Sequence, residues 1–185
     1  MKHLIASVLL MVSVGLPVFA QPSIPSPSDG KAIVYFVRTS SMGMAINFSY
    51  FDSLTLIGRF AGPAYIRYEC EPGHHLFWAR SENRDFVEAE LESGKIYFIL
   101  ADVALGGIKA QVDLVAVNPR NDSKTMKRIL KLMDRQPAER FTAEQLKQDQ
   151  ADLEKVVERG IESYSKEKTR GLQHDVLAVD MDYER

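Results

Sequence analysis

The hydrophobic and polar positions between residues 31 and 117 follow the two-residue period of β-strands. Residues 31–38 are almost continuously apolar, which predicts a strand buried on both faces, whereas 45–51 and 109–117 alternate apolar and polar side chains. Turn residues separate the apolar runs throughout this region. In chain order the runs are 31–38, 45–51, 54–60, 65–70, 75–81, 86–91, 95–103 and 109–117. The pattern predicts a mainly β fold, an antiparallel β-sandwich of about eight strands.

The stretch from Tyr65 to Ile99 contains the clearest turn signals. Pro72 and Gly73 follow one alternating run, and Gly94 precedes the most densely apolar run of the chain. Proline presets φ early in a turn, and glycine tolerates the positive φ that the next position of a type II turn requires. We therefore expect Pro72, Gly73 and Gly94 to be structural turn residues, and we expect this stretch to form two successive β-hairpins.

After residue 118 the apolar positions recur with the period of an α-helix. Asp122 or Ser123 can begin a first helix, and Pro137 ends it. A second helix begins at Thr142, which has capping-box spacing to Gln145. The apolar stripes are Met126, Ile129, Leu130 and Met133 in the first helix, and Leu146, Leu153, Val157, Ile161 and Tyr164 in the second. The second stripe is narrow, so this helix either packs along the sheet or offers a surface to another protein.

The amino terminus has the pattern of a secretory signal peptide. Lys2 and His3 precede an apolar run over residues 4–16, and Val-Phe-Ala at 18–20 then gives a cleavage pattern that ends in the small residue Ala20. The run is shorter than the roughly 20 residues of a membrane-spanning helix, and Pro17 interrupts it. We expect cleavage after Ala20, a periplasmic or secreted mature protein, and no transmembrane segment in the mature chain.

These patterns divide the chain into five predicted parts. A proline-rich stretch with little to bury follows the signal peptide, and an acidic, polar stretch closes the sequence. The parts are a signal peptide over 1–20, an extended or disordered leader over 21–30, a β-sandwich domain over 31–118, a helical appendage over 119–170 and a flexible tail over 171–185.

Composition and charge limit the classes of partner. The chain has 23 Lys and Arg against 25 Asp and Glu, so its formal net charge is −2. A near-neutral chain of mixed charge gives no reason to expect nucleic acid as a partner. Cys70 is the only cysteine, which excludes an intramolecular disulfide, and its position in an alternating strand predicts that it is buried.

Several strand and turn strings resemble a bacterial protein family. They are Ile-Val-Tyr-Phe-Val-Arg at 33–38, Leu-Ile-Gly at 56–58, Pro-Gly-His-His-Leu at 72–76 and Leu-Glu-Ser-Gly-Lys-Ile-Tyr-Phe at 91–98. Over residues 31 to about 117 the chain resembles the bacterial domain-of-unknown-function family 2846, and the order of its motifs is similar to PEGA-type surface β-sandwich modules. The resemblance implies a small exported envelope protein and brings no catalytic residues. Many relatives carry a lipid-attachment cysteine after the signal peptide, which this chain lacks.

The strongest candidate for chemistry is the group formed by Cys70, His74 and His75. Adjacent residues of a strand point to opposite faces, so at most one of the two histidines can join the cysteine. That leaves too few ligands for a closed metal site, and a mid-strand cysteine lacks the positive surroundings of a reactive thiol. The sequence also has no Gly-x-Ser-x-Gly elbow and no phosphate-binding loop. We therefore predict no catalytic, cofactor-binding or metal-binding residues.

The sequence favours an exported, non-enzymatic binding module of the cell envelope, whose partner is an envelope protein or a cell-wall component. Either the long second helix or a polar loop could make the contact. The candidate loop consists of Glu82, Asn83, Arg84 and Asp85. The alternative is a small-molecule or lipid carrier with a cavity within the β-layers. That cavity would be lined by Phe48, Tyr68, Trp78 and Phe98.

Overall fold

The computed structural model describes residues 24–106 and 109–184. Side chains are described for the same residues except those from 104 to 110. The predicted signal peptide over 1–20 therefore lies outside the described residues. Within the described residues the protein is mainly β, with nine strands in two mixed sheets and three α-helices.

All eight predicted strands are present, and a ninth is added near the carboxyl end. The strands are β1 (Ala32–Arg38), β2 (Asn47–Asp52), β3 (Thr55–Ala61), β4 (Ala64–Cys70), β5 (Gly73–Arg80), β6 (Arg84–Leu91), β7 (Ile96–Gly106), β8 (Lys109–Val117) and β9 (Asp175–Leu177). The helices are α1 (Ser123–Arg135), α2 (Ala143–Asp152) and α3 (Glu154–Thr169).

The strands form two sheets, and in these sheets many strands that follow each other in the chain are not neighbours. Sheet A has the order β4-β1-β7-β8, and sheet B has the order β3-β2-β5-β6-β9. Most neighbours are antiparallel, but β1 runs parallel to β7, and β6 runs parallel to β9. The prediction of a purely antiparallel arrangement is therefore corrected. β1 lies inside sheet A with all its residues buried, which confirms the prediction from its continuous apolar character.

The two hairpins expected between Tyr65 and Ile99 do not form. β4 pairs with β1 in sheet A, whereas β5 pairs with β2 and β6 in sheet B, so the turn at Pro72 and Gly73 carries the chain between sheets. The turn at Gly94 likewise leads from β6 in sheet B to β7 in sheet A. Both glycines have the positive φ expected of turns. A turn residue fixes where the chain reverses, but the reversed strand can pair in either sheet.

The two sheets share one apolar core, and each has a second apolar face under helices. The inward side chains of both sheets form the shared cluster. The other face of sheet A packs against α1, where Tyr35 and Phe98 belong to the same cluster as Ile129. The other face of sheet B packs against α3, where Trp78 belongs to the same cluster as Val157. The layers therefore run in the order α1, sheet A, sheet B, and then α2 with α3.

The helical region contains three helices where two were expected. α1 begins after Asp122, whose carboxylate caps its first turn, and it ends before Pro137, as predicted. The capping box between Thr142 and Gln145 is also confirmed. The predicted second helix is interrupted at Leu153, a residue buried against sheet B, and this break divides it into α2 and α3.

The chain between and within the helices covers one lateral edge of the sheets. The amide of Glu139 donates to the carbonyl of Tyr65 in β4 at 2.8 Å. In α2, the Gln150 side chain accepts from the amide of Leu56 at 2.6 Å and donates to the carbonyl of Leu54 at 3.0 Å. Backbone groups that an edge strand would leave open are therefore bonded within the protein.

The predicted flexible tail over 171–185 instead contains regular structure. β9 pairs with β6, Leu177 is fully buried, and a 3₁₀ turn follows. The amide of Tyr183 then donates to the carbonyl of Ile96 at 2.7 Å, so the chain returns from sheet B to sheet A. A run of acidic and polar residues suggested a loose end, but Leu177 and its strand pairing hold this segment against both sheets.

The described part of the predicted leader is also held against the protein. Ile24 is buried in the same cluster as α1, and the amide of Ser28 donates to the carboxylate of Glu69. Residues 24–30 contain no helix or strand, as expected of an extended segment. The leader therefore has one apolar side chain to bury, although its composition suggested almost none.

The carboxyl-terminal part of the chain passes around both sheets, and we call residues 119–184 the belt. α1 covers sheet A, the following segment crosses the β4 and β3 edges, α2 and α3 cover sheet B, and β9 leads back towards sheet A. The belt, which includes the predicted appendage, is thus a covering layer that contributes side chains to all three apolar clusters. Its long helix packs along the sheet, which was one of the two arrangements that its stripe allowed.

Candidate functional site

The predicted cluster of Cys70, His74 and His75 is divided by the fold. The His74 side chain is 92% exposed, whereas that of His75 is 13% exposed, as expected for neighbours on a strand. His75 Nδ1 lies 2.7 Å from Asp52 Oδ2, and Nε2 lies 2.9 Å from the carbonyl oxygen of Glu71. Both neighbours are acceptors, so this geometry satisfies both ring nitrogens at once only when the imidazole is protonated.

Asp52 joins three strands, and sequence reasoning missed it. Its carboxylate also accepts from the hydroxyl of Tyr68 at 3.1 Å, which links β2 and β5 of sheet B to β4 of sheet A. The hydrogen bond to Asp52 raises the pKa of His75 against the opposing effect of burial. Burial, with the charge of Asp52, raises the pKa of Tyr68. Since both nitrogens of His75 are bonded, this arrangement stabilises the fold rather than supplying a general base.

A His75→Gln variant should lose a pH dependence of stability that the wild type shows. The pKa of His75 is raised on folding, so the folded state binds more protons than the unfolded state above the unfolded value of about 6.5. The stabilisation is therefore complete below about pH 6.5 and disappears as pH rises through the raised pKa. Denaturant unfolding at several pH values measures this slope. The control His74→Gln should keep it, and an equal slope in wild type and His75→Gln would contradict the assignment.

Cys70 has the environment of a structural residue. It is buried, and its Sγ lies 4.0 Å from the carbonyl oxygen of Ala32, which confirms the predicted burial. Burial and then the neighbouring carboxylates raise the pKa of the thiol to about 12. The thiol is therefore protonated at neutral pH, and the thiolate form that acts as a nucleophile is scarce.

The predicted contact loop is partly used inside the protein. The Asn83 side chain donates to the backbone carbonyl of Val112 in β8 at 2.8 Å. It also accepts from the backbone amide of Val112 at 2.7 Å. Asp85 accepts from the amide of Leu114 at 2.6 Å, and burial raises the pKa of its carboxyl group. These two side chains bond the backbone along the edge of β8. Partner contact through the other two loop residues stays a prediction.

The four aromatic residues expected around a ligand cavity lie in different places. Phe48 is in the shared core, and Tyr68 packs against that core. Trp78 lies on the helix-covered face of sheet B, and Phe98 lies on the helix-covered face of sheet A. These four side chains do not surround one cavity. The alternation of strand faces separates Trp78 and Phe98 from the other two.

An open groove lies on the outer face of sheet B, and we call it the sheet B groove. Its volume is about 530 Å³. Cross-strand neighbours of β5 and β6 form its floor, while α3 and β9 form its sides. The floor residues are His74, Leu76, Glu88 and Glu90, and the side residues are Tyr164 and Val176. Strand pairing brings distant segments together here, and no local sequence pattern marks them as one surface.

The sheet B groove places apolar and charged side chains next to each other. His74 forms an ion pair with Glu90, and Glu88 accepts from Lys168 of α3 at 2.7 Å. The hydrogen bond from Lys168 lowers the pKa of Glu88, so this carboxylate is charged at neutral pH. Val176 is 53% exposed at the side of the groove. Such a mixture is typical of surfaces that bind another molecule reversibly.

Three further findings concern metal sites, membrane-spanning helices and similarity to known proteins. Among the residues that the structure describes, no group of three or more His, Cys, Asp or Glu side chains is arranged to hold a metal ion. Within those same residues, no helix is both long and apolar enough to cross a bilayer. No protein-family model and no curated protein matches the chain.

Proposed function

We propose that the protein is an exported, non-enzymatic binding module of the cell envelope, built as a β-sandwich, whose partner binds in the sheet B groove. The observation that carries the proposal is the open groove itself. The belt covers the apolar outer faces of the sheets, yet Leu76 and Val176 line an uncovered groove between charged side chains. The signal-peptide pattern and the resemblance to family 2846 support the assignment to the envelope.

The non-enzymatic part of the proposal rests on the chemistry of the candidate residues. His75 has both nitrogens bonded, and the thiol of Cys70 is buried and protonated. Neither residue is prepared for nucleophilic or general-base catalysis. A hydrolase activity that disappears in Cys70→Ala or His75→Ala would overturn this part.

The groove fits an extended segment of an envelope protein that carries apolar and basic side chains. Glu88 and Glu90 offer carboxylates, while Leu76 and Val176 offer apolar contact. A basic side chain could compete for the carboxylates that Lys168 and His74 now occupy. This complementarity favours a protein partner over a neutral glycan.

Val176→Lys should lower the amount of partner that the mature protein, residues 21–185, captures from an envelope extract. The new cation is placed at the side of the groove, where Val176 offers apolar contact, and the loss of a contact that carries binding energy costs a factor of about ten or more. The matched control Met44→Lys changes a residue that is 63% exposed and is not part of the groove lining. Equal capture by both variants would contradict the assignment of the groove.

A further inference from the structure

α1 carries five basic side chains along one exposed side. They are Lys124, Lys127, Arg128, Lys131 and Arg135, and we call them the basic stripe. Since successive residues of an α-helix are rotated by about 100°, all five fall within a sector of about 100°. The opposite side of the helix buries Met126 and Ile129 against sheet A. Only one acidic residue, Asp134, occurs in α1.

The protein neutralises this stripe only in part, through the carboxylate of Asp122 near Lys124 and Arg128. Of the ion pairs between described residues, none involves a member of the basic stripe. Like charges three or four residues apart repel each other and destabilise a helix. The chain as a whole has a net charge of −2, whereas α1 carries five basic residues and one acidic residue. A negatively charged partner would relieve this repulsion.

An apolar groove runs beside the basic stripe. It has a volume of about 610 Å³ and lies between α1 and the returning tail. Met126, Leu130 and Tyr183 contribute apolar surface. The charged residues of its lining are two lysines and one aspartate, Lys127, Lys131 and Asp134. Cations beside an apolar and aromatic surface match a phospholipid, which has an anionic headgroup next to acyl chains. This neighbouring groove favours a lipid over a polyanion without an apolar part.

We infer that the basic stripe docks the protein onto the anionic surface of a phospholipid bilayer. The helix is about 20 Å long, and its five cations lie along a line that a flat surface can contact together. The apolar side of α1 stays packed on sheet A, so the helix itself does not insert. The attachment is mainly electrostatic, and the groove beside the stripe adds its apolar part. This inference goes beyond the proposed partner site and does not depend on it. α1 and the sheet B groove lie outside opposite sheets, so a docked protein presents the groove away from the bilayer.

The test is co-sedimentation of the mature protein with phosphatidylcholine vesicles that either contain or lack phosphatidylglycerol. We expect binding to the anionic vesicles, little binding to the neutral ones, and loss of binding at high salt because screening weakens the attraction. The double variant Lys127→Gln/Lys131→Gln should lower the partition coefficient about 30-fold, since each basic residue near an anionic surface contributes a factor of about five. The control Lys147→Gln/Lys155→Gln makes the same charge change on α2 and α3 and should bind like the wild type.

Several outcomes would overturn the docking site. These are equal binding to both vesicle types, no binding to anionic vesicles at low salt, or an equal loss in the control variant. Capture of an acidic protein through the stripe, without any vesicle binding, would also reject the bilayer. Circular dichroism confirms that both double variants remain folded. The stripe variant should still capture the partner of the sheet B groove, so failure of one proposal is distinguishable from failure of the other.

Discussion

A chain that ends at Asn121 should lose its cooperative fold. This truncation removes the three helices and β9, and it exposes apolar faces on both sheets that the belt now covers. Tyr35, Trp78 and Phe98, each at most 1% exposed, would become part of the surface. Large exposed apolar patches favour aggregation or a molten state, because specific packing is lost while the strands stay apolar.

Near-ultraviolet circular dichroism and denaturant unfolding measure this effect. We expect the shortened chain to show no sharp unfolding transition and to expose apolar surface to a hydrophobic dye. A chain that ends at Arg170 is the graded control, since it keeps the helices and loses only β9 and the segment after it. A cooperative transition in the chain that ends at Asn121 would show that the helical region is an independent appendage, as its sequence suggested.

Trp78→Ala should lower the free energy of unfolding by about 3–5 kcal/mol. It should also change the sign of the effect that a second substitution, Gly160→Ala, has on this free energy. A Cβ atom at Gly160 in α3 would lie 2.4 Å from Trp78 Cη2. The indole has little room to retreat because it stacks on Phe51 at 4.0 Å between centroids and donates to the carbonyl of Ser53 at 2.8 Å. Overpacking costs about 1–3 kcal/mol, which outweighs the gain of about 1 kcal/mol in helix propensity.

A double-mutant cycle checks this coupling. Gly160→Ala alone should destabilise the protein, whereas in the Trp78→Ala background the added methyl group fills vacated space and the same change should stabilise it. Denaturant unfolding of the four proteins gives the interaction energy between the two positions. If Gly160→Ala had the same effect in both backgrounds, the contact between α3 and Trp78 would not explain the glycine.

The positions of the strands could be predicted from the sequence, but their pairing could not. Alternating apolar side chains mark a strand that is buried on one face, and a continuous apolar run marks one that is buried on both, so these local patterns marked β1 to β8 well. Pairing depends on contacts between distant segments. The turns at Pro72 and Gly94 therefore suggested local hairpins where the chain in fact changes sheets. β9 is three residues long, too short for a period to be recognised.

For the candidate site too, features set by the local sequence could be predicted, whereas contacts between distant residues could not. Strand alternation correctly predicted that His74 and His75 point to opposite faces. The partner of His75 is Asp52, which lies in a different strand and has no sequence signature. Gly160 is a further example. A glycine inside a helix suggests local weakness, and only the packing of α3 on Trp78 gives this glycine a structural role.

The parallel pairing of β6 with β9 has a consequence for when the protein can fold. Glu88 is opposite Val176, so sheet B is completed by a strand that lies far along the chain from its neighbour. Two strands of sheet A and all three helices lie between β6 and β9 in the sequence, so this pairing has to close a long loop. Pairings between distant segments form slowly, so we expect β9 to join sheet B after local pairings such as that of β5 with β6.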